Sequence, residues 1–150
     1  MPEKIRVGVL FGGRSCEHEV SVTSARSVLA AIDPDKYDVT MIGISKEGGW
    51  LLAGDAQKVL SAGSVQGDDL VPVLLDYPGT SDLITTNGSP PDSRGNRTVD
   101  VVFPILHGPY GEDGTVQGLL ELAGVAYVGA GVGGSAVSMD KELMKRVFRA

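Results

Sequence analysis

Residues 101–106 read Val-Val-Phe-Pro-Ile-Leu and pass without a spacer into His107-Gly-Pro-Tyr-Gly-Glu-Asp-Gly-Thr-Val-Gln-Gly-Leu-Leu-Glu121. No other segment constrains the chain as much. A short apolar run bounded by glycine reads as a buried strand, and the residues after it take on helical spacing. A histidine, two acids and three glycines (Gly108, Gly111, Gly114) thereby fall at the C-terminal end of a strand. In open α/β sheets that edge is where ligands bind. Glycine there lets backbone N–H groups approach a ligand closely.

The N-terminal third has the same grammar. Residues 5–10 form a short run that is apolar apart from Arg6 and leads to Gly12-Gly13, which predicts a first strand buried on both faces. From Ser21 the apolar residues Val22, Ala25, Val28, Leu29 and Ile32 keep helical spacing until Asp33-Pro34 stops them. Residues 37–44 alternate and predict a second strand. Strand, glycine loop, helix and strand make a parallel βαβ opening. Lys46-Glu-Gly-Gly49 predicts a turn into a hairpin strand at 50–52, and 71–76 a further strand. Residues 78–98 are rich in Pro, Gly, Ser, Asn and Asp, the composition of a mobile surface loop.

Farther on, 99–106 predicts a strand apolar enough to be central. Residues 115–123 predict a helix with Val116, Leu119, Leu120 and Ala123 inward, and 125–128 another short strand. Ser135 or Ser138 would cap a last helix whose apolar face is Met139, Leu143, Met144 and Val147. That helix meets no stop signal before Ala150, which suggests a longer parent protein. The fold class expected is α/β, an open, mostly parallel sheet flanked by helices, Rossmann-like in its plan.

Charge and cysteine usage narrow the function. The net charge is −6 and the longest basic cluster is Lys145-Arg146, which disfavours nucleic acid and anionic membranes as partners. A single cysteine, Cys16, excludes an intrachain disulfide and a cysteine-based zinc site. No apolar run approaches the roughly 18 residues of a membrane span, and the first residues lack a signal-peptide core. A soluble, cytoplasmic protein is expected.

Four segments could carry chemistry. Gly12-Gly-Arg-Ser-Cys-Glu-His-Glu-Val-Ser21 opens a helix at a strand end. Glu17 there could bind a cation or simply complement the helix dipole, Glu19 reads as a structural acid and Ser21 as a cap. In the second loop, His107 could be a general base, an anion ligand or a scaffold residue. Glu112 and Asp113 could orient it, bind a cation, or cap the next helix, and Gln117 could be a plain polar helix position. Gly129-Ala-Gly-Val-Gly-Gly134 formally matches a dinucleotide fingerprint. It is not the first strand–helix turn, however, and its acidic ribose partner would fall past residue 150. Lys141 sits near a helix start, a poor place for a cation on dipole grounds, so a phosphate contact and a solvated lysine both remain open.

Together these segments resemble the D-alanine–D-alanine ligase family. The resemblance rests on Gly12 to Ser21 with Ser24-Ala25, His107-Gly108, Gly111-Glu-Asp-Gly114, Gln117-Gly118, Leu120-Glu121, Tyr127-Val-Gly129, Gly131-Val132, Ser135-Ala136 and Ser138-Met-Asp-Lys141. These occur in family order. The resemblance implies an ATP-grasp enzyme that uses ATP and Mg²⁺ to join two D-alanines through an acyl phosphate for peptidoglycan, as a homodimer. By position, Glu17 is similar to the carboxylate that holds the first D-alanine's ammonium, and His107 to the residue near its carboxylate. Val20 resembles an apolar wall of that site and Lys141 a contact to the ATP phosphates. Residues 1–134 would form the N-terminal substrate-binding, pre-ATP-grasp domain, with 46–98 a variable insertion. Residues 135–150 would begin the connection to an ATP-grasp region, where the Mg²⁺ ligands are expected. A non-catalytic binding or dimerisation module of the same fold, and ligases joining D-alanine to D-lactate or D-serine, are the alternatives.

Overall fold

The structure, a computed structural model, describes residues 3–53, 56–65, 70–75, 82–85 and 97–150. Strand β1 (Ile5–Gly12) leads into helix α1 (His18–Ala31), which returns to β2 (Tyr37–Ile44). β1 and β2 pair in parallel, from Ile5 opposite Tyr37 to Gly12 opposite Ile44. The right-handed βαβ logic explains the economy of this unit, since a parallel neighbour needs a crossover helix. On its other side β1 pairs in parallel with β7 (Val101–Pro104).

Beyond β2 the sheet turns antiparallel. β3 (Trp50–Ala53) folds back through the expected turn, with Trp50 opposite Ile44. After α2 (Ala56–Ala62), strands β4 (Leu70–Leu75), β5 (Asp82–Thr85) and β6 (Arg97–Thr98) each add antiparallel, giving the order β6-β5-β4-β3-β2-β1-β7. The sheet is open and flanked by helices, as the sequence implied. β5 and β6 fall within the stretch expected as a polar loop; the remainder of 78–98 lies outside the described residues. Helix α2 was not foreseen from spacing.

Alternation along β1 divides the core. Leu10 joins Ile42, Val102, Val116 and Leu120 on the face covered by α3 (Thr115–Leu122). Val7, Val9 and Phe11 join Val22, Ala25, Met41 and Leu60 on the face covered by α1 and α2. Phe11, Leu10 and Ile42 are wholly buried, each contributing roughly 2–3 kcal/mol on transfer grounds. A strand covered on both faces must be apolar at successive positions, which is why the buried part of β1, Val7 to Phe11, carries no polar side chain while exposed Arg6 precedes it.

Three expectations need correcting. Residues 101–104 were expected at the sheet's centre, but β7 is one of the two edge strands of the order, opposite β6. The apolar side chains of β7 pack into the cores on both faces, Val102 with Val116 and Leu120 and Val101 and Phe103 against the other cluster, while the 125–128 segment pairs with its far edge through a single parallel bridge, Val102 to Tyr127. Val102 N–H donates to the Ala126 carbonyl at 2.8 Å and Val128 N–H to the Val102 carbonyl at 2.9 Å. The last helix is two helices, α4 (Val132–Met139) and α5 (Lys141–Arg149), and neither Ser135 nor Ser138 caps α5. Asp140 is extended between them, and its carboxylate accepts from the Glu142 and Leu143 N–H groups at 2.9 and 3.0 Å. The expected apolar face of that helix is not buried: α5 has no buried side chain, and Leu143 and Val147 are exposed.

Arg6 fastens the start of β1 to the residue before β7. Its guanidinium reaches both Asp100 oxygens, at 2.6 and 3.1 Å, and its backbone N–H donates to the same carboxylate at 2.7 Å. The Arg6 side chain, then its N–H, hold the Asp100 carboxyl down at about 2. Because the folded value lies below the ordinary one, the contribution is complete above about pH 4 and fades as pH falls toward 2. Both side chains are over 40% exposed, so solvent screening limits the contribution to about 1 kcal/mol or less. Asp100→Asn is expected to lower stability by about that amount at pH 7 and to flatten the acid limb between pH 4 and 2, read by urea titrations over a pH series.

Candidate functional site

The C-terminal ends of β1 and β7 meet, and serine hydroxyls join them. Ser21, wholly buried, accepts from the Gly12 N–H at 2.8 Å and donates to the Ile105 carbonyl. It is therefore a tie between two strands and not the cap expected; α1 begins three residues earlier, at His18. Ser15 donates to the His107 carbonyl at 2.6 Å and accepts from the Glu17 N–H at 3.1 Å. Ser24, from α1, lies 3.0 Å from His107 Nε2. Gly12 has φ +89°, and a Cβ there would meet the Ile44 carbonyl at 2.4 Å. Only glycine lets β1 turn sharply enough to deliver this loop.

The 107–114 loop is pinned by its own side chains. Gly108 N–H donates to Glu112 Oε2 at 2.7 Å, and Asp113 accepts from the Tyr110 and Thr115 N–H groups at 2.8 and 3.0 Å. Burial pushes the Asp113 carboxyl up, but those backbone donors outweigh it and hold it below its usual value. Asp113 thus fastens the first amide of α3 and the preceding turn at once. Tyr110 is held at φ 68°, and its ring lies 5.2 Å under the Arg14 guanidinium. Gln117, buried, donates from Nε2 to the Gly111 carbonyl at 2.9 Å; its Oε1 has no partner among the described residues. It is a loop anchor rather than a plain polar helix position. Beside the loop opens a cleft of about 310 Å³ between Gly13, Arg14, Trp50, His107, Tyr110 and Val116.

The structure brings together two of the four residues singled out by resemblance. Glu17 stands at the N-cap of α1, but its carboxylate caps nothing there. It lies against Gly108, where an added Cβ would come within 2.6 Å of Oε2. Glu17 and His107 therefore share one neighbourhood, linked through Ser15. Val20 projects from α1, half exposed. Lys141 is exposed on α5 and takes no part in the β1–β7 cluster. Asp140 occupies the Glu142 and Leu143 amides at the start of that helix, and Lys141 stands between the cap and those amides. Glu19 pairs with Lys46, which lowers its carboxyl. Cys16 is exposed. Among the described residues, no group of three or more His, Cys, Asp or Glu side chains could hold a metal ion.

The family model for the D-ala D-ala ligase N-terminus matches residues 6–130. The chain belongs to the D-alanine–D-alanine ligase family, as its N-terminal domain. It is 52% identical to the D-alanine–D-alanine ligase of Streptomyces avermitilis, over 98% of this chain and 40% of that protein. It is likewise 52% identical to the ligase of Streptomyces coelicolor, over 95% of this chain and 39% of that one. The chain thus spans about two fifths of the length of the curated relatives it matches. Among solved structures, the Coxiella burnetii D-alanine–D-alanine ligase superposes with a TM-score of 0.85 at 36% identity, covering 98% of this chain and 41% of that one. A D-Ala:D-Ser ligase of Enterococcus faecalis also scores 0.85, at 35% identity over 98% of this chain and 42% of that one.

Residues that spacing alone did not reveal hold this ligase domain's loops in place. His18 is 1% exposed and bridges two backbones: Val65 N–H donates to Nε2 at 3.1 Å, and Nδ1 lies 2.8 Å from the Gly13 carbonyl. A backbone donor on Nε2 assigns the proton to Nδ1. In sequence His18 is one letter of the Gly12–Ser21 segment; that it is the buried partner of a segment 47 residues away is a tertiary fact with no local signal. Removing the ring leaves a cavity and two backbone groups unpaired. His18→Ala is expected to cost the ligase domain about 3 kcal/mol, measured by chemical denaturation.

Proposed function

We propose that this chain is the first-substrate portion of an ATP-dependent D-alanine–D-alanine ligase. Residues 1–134 would be the substrate-binding unit and 135–150 the start of the connection to an ATP-grasp region. The observation that carries the reading is the meeting of Glu17 and the His107–Gly108 loop at one strand edge, in a chain of this family. An uncapped carboxylate suits an ammonium, and an imidazole half-buried beside serines and a glycine-rich turn suits a carboxylate.

The reaction would proceed in two steps. The γ-phosphoryl group of ATP passes to the carboxylate of the first D-alanine, giving an acyl phosphate and ADP. The amine of the second D-alanine then attacks the acyl carbon, releasing phosphate and a proton and forming the peptide bond. In this chain, Glu17 would hold the first ammonium and so keep that amine from acting as the nucleophile. His107 would steady the carboxylate that receives the phosphoryl group, Val20 would wall the site, and Lys141 would offset phosphate charge. Positioning and electrostatic clamping are the main demands of phosphoryl transfer. The Mg²⁺ ligands would belong to the ATP-grasp region. A co-substrate such as ATP sets the reaction in the cytoplasm.

The second substrate is left open by this domain, since a D-Ala:D-Ser ligase matches the fold as closely as a D-alanine–D-alanine ligase does. A homodimer belongs to the same proposal and rests on the family resemblance.

Glu17→Gln in the complete ligase is expected to raise the KM for the first D-alanine by about 10–100-fold, the loss of roughly one charge-assisted contact. Unchanged kinetics for that substrate would overturn the assignment. The 150 residues alone, mixed with ATP and D-alanine, are expected to release no ADP; turnover matching the complete enzyme would count against the proposed division of labour.

A further inference from the structure

Ser15 is 9% exposed, and its one hydroxyl serves both loops. It donates to the His107 carbonyl and accepts from the Glu17 N–H. The backbones carrying the ammonium-binding and carboxylate-binding candidates therefore meet on one oxygen atom. Ser24 holds the other end of the histidine, at ring Nε2. Gly108 closes the arrangement: a Cβ there would lie 2.6 Å from Glu17 Oε2 and 3.5 Å from Ser15 Cβ. The two loops are thus packed against each other as well as bonded, and neither can shift without moving the other.

Such coupling has a chemical consequence. An α-amino acid carries its ammonium and carboxylate on one carbon, whereas a β-amino acid places a methylene between them. Two anchors free to drift would accept both. Two anchors at a fixed separation reward one, because displacement by about 1 Å costs on the order of 100-fold in rate.

We propose that Ser15, assisted by Ser24, is a positioning residue that fixes the spacing between Glu17 and His107 and thereby selects an α-amino acid over a β-amino acid at the first-substrate site. This rests on the reading that Glu17 and His107 bind the first D-alanine. Neither serine touches substrate; both act through the two residues they hold.

The test uses the complete ligase, with β-alanine as a competitor of the first D-alanine. The quantity read is the inhibition constant of β-alanine divided by the KM of the first D-alanine. Both constants are independent of how much of a preparation is folded. Ser15→Ala is expected to lower this ratio at least fivefold, mainly by raising the KM for D-alanine, with kcat changed less than KM. Ser24→Ala, which removes only the ring contact, is expected to lower it in the same direction by at least twofold, and carries the test if Ser15→Ala gives no soluble enzyme. A smaller fall than these overturns the spacing role, whatever happens to kcat. If Glu17→Gln also leaves the first KM unchanged, the site assignment itself fails. If Glu17→Gln raises that KM while the ratio survives in the serine variants, only the spacing role fails.

Discussion

The hydroxyl of Ser21 has no exposure to solvent and satisfies two backbones at once, the Gly12 N–H at the end of β1 and the Ile105 carbonyl beyond β7. Parallel strands end without a hairpin to join them, so the relative height of their C-terminal edges must be set by something else. Here it is set by a side chain of α1, the crossover helix itself. The ladder continues past β7 through an Ile105 N–H bond to the Leu10 carbonyl at 2.8 Å. From that tie the chain departs in two directions, through Gly12-Gly13 toward Glu17 and through Leu106 toward His107. Everything placed at the strand edge inherits its precision from this contact, and a buried hydroxyl deprived of either partner would leave a costly unpaired group.

Local pattern revealed the elements whose physics is local. The apolar residues from Val7 to Phe11 reported a strand covered on both faces, and Lys46 to Gly49 reported the turn that brings Trp50 opposite Ile44. Asp33-Pro34 marked the end of α1 within two residues of Ala31. The failures were tertiary. Residues 101–104 have central-strand composition because their side chains pack into cores on both faces of the sheet, although the strand has only the 125–128 bridge on its outer edge. Ser135 and Ser138 looked like caps, but Asp140 competed better: it lies immediately before α5 and its carboxylate reaches two amides.

The site shows the same division. Glycines and acids at two strand ends were visible as a pattern, and family order gave Glu17 and His107 their significance. The serines that hold them were quoted as motif letters without a task, because nothing in a sequence says which backbone a hydroxyl will reach. Ser15 spans 92 residues to His107 and Ser24 spans 83. Arg14 and Tyr110 likewise gave no local sign of their stacking. Lys141 was legible as an oddity of charge, and its surroundings here account for the oddity only in part, since Asp140 beside it has already used the helix start.

His18 draws a boundary across the part of the chain that looks most freely variable. Its imidazole grips the Val65 amide from within the strand-end loop, so the stretch following β3 is bolted to the site at its near side. Lengthening or trimming that region is a matter of where the cut is made. A graft that replaced residues up to 65 would have to return a backbone N–H to the same point to keep the histidine seated and, through Gly13, the turn that carries Glu17. Change beginning after 65 leaves that bolt in place. New material on the antiparallel flank would then leave the edge formed by β1 and β7 in register.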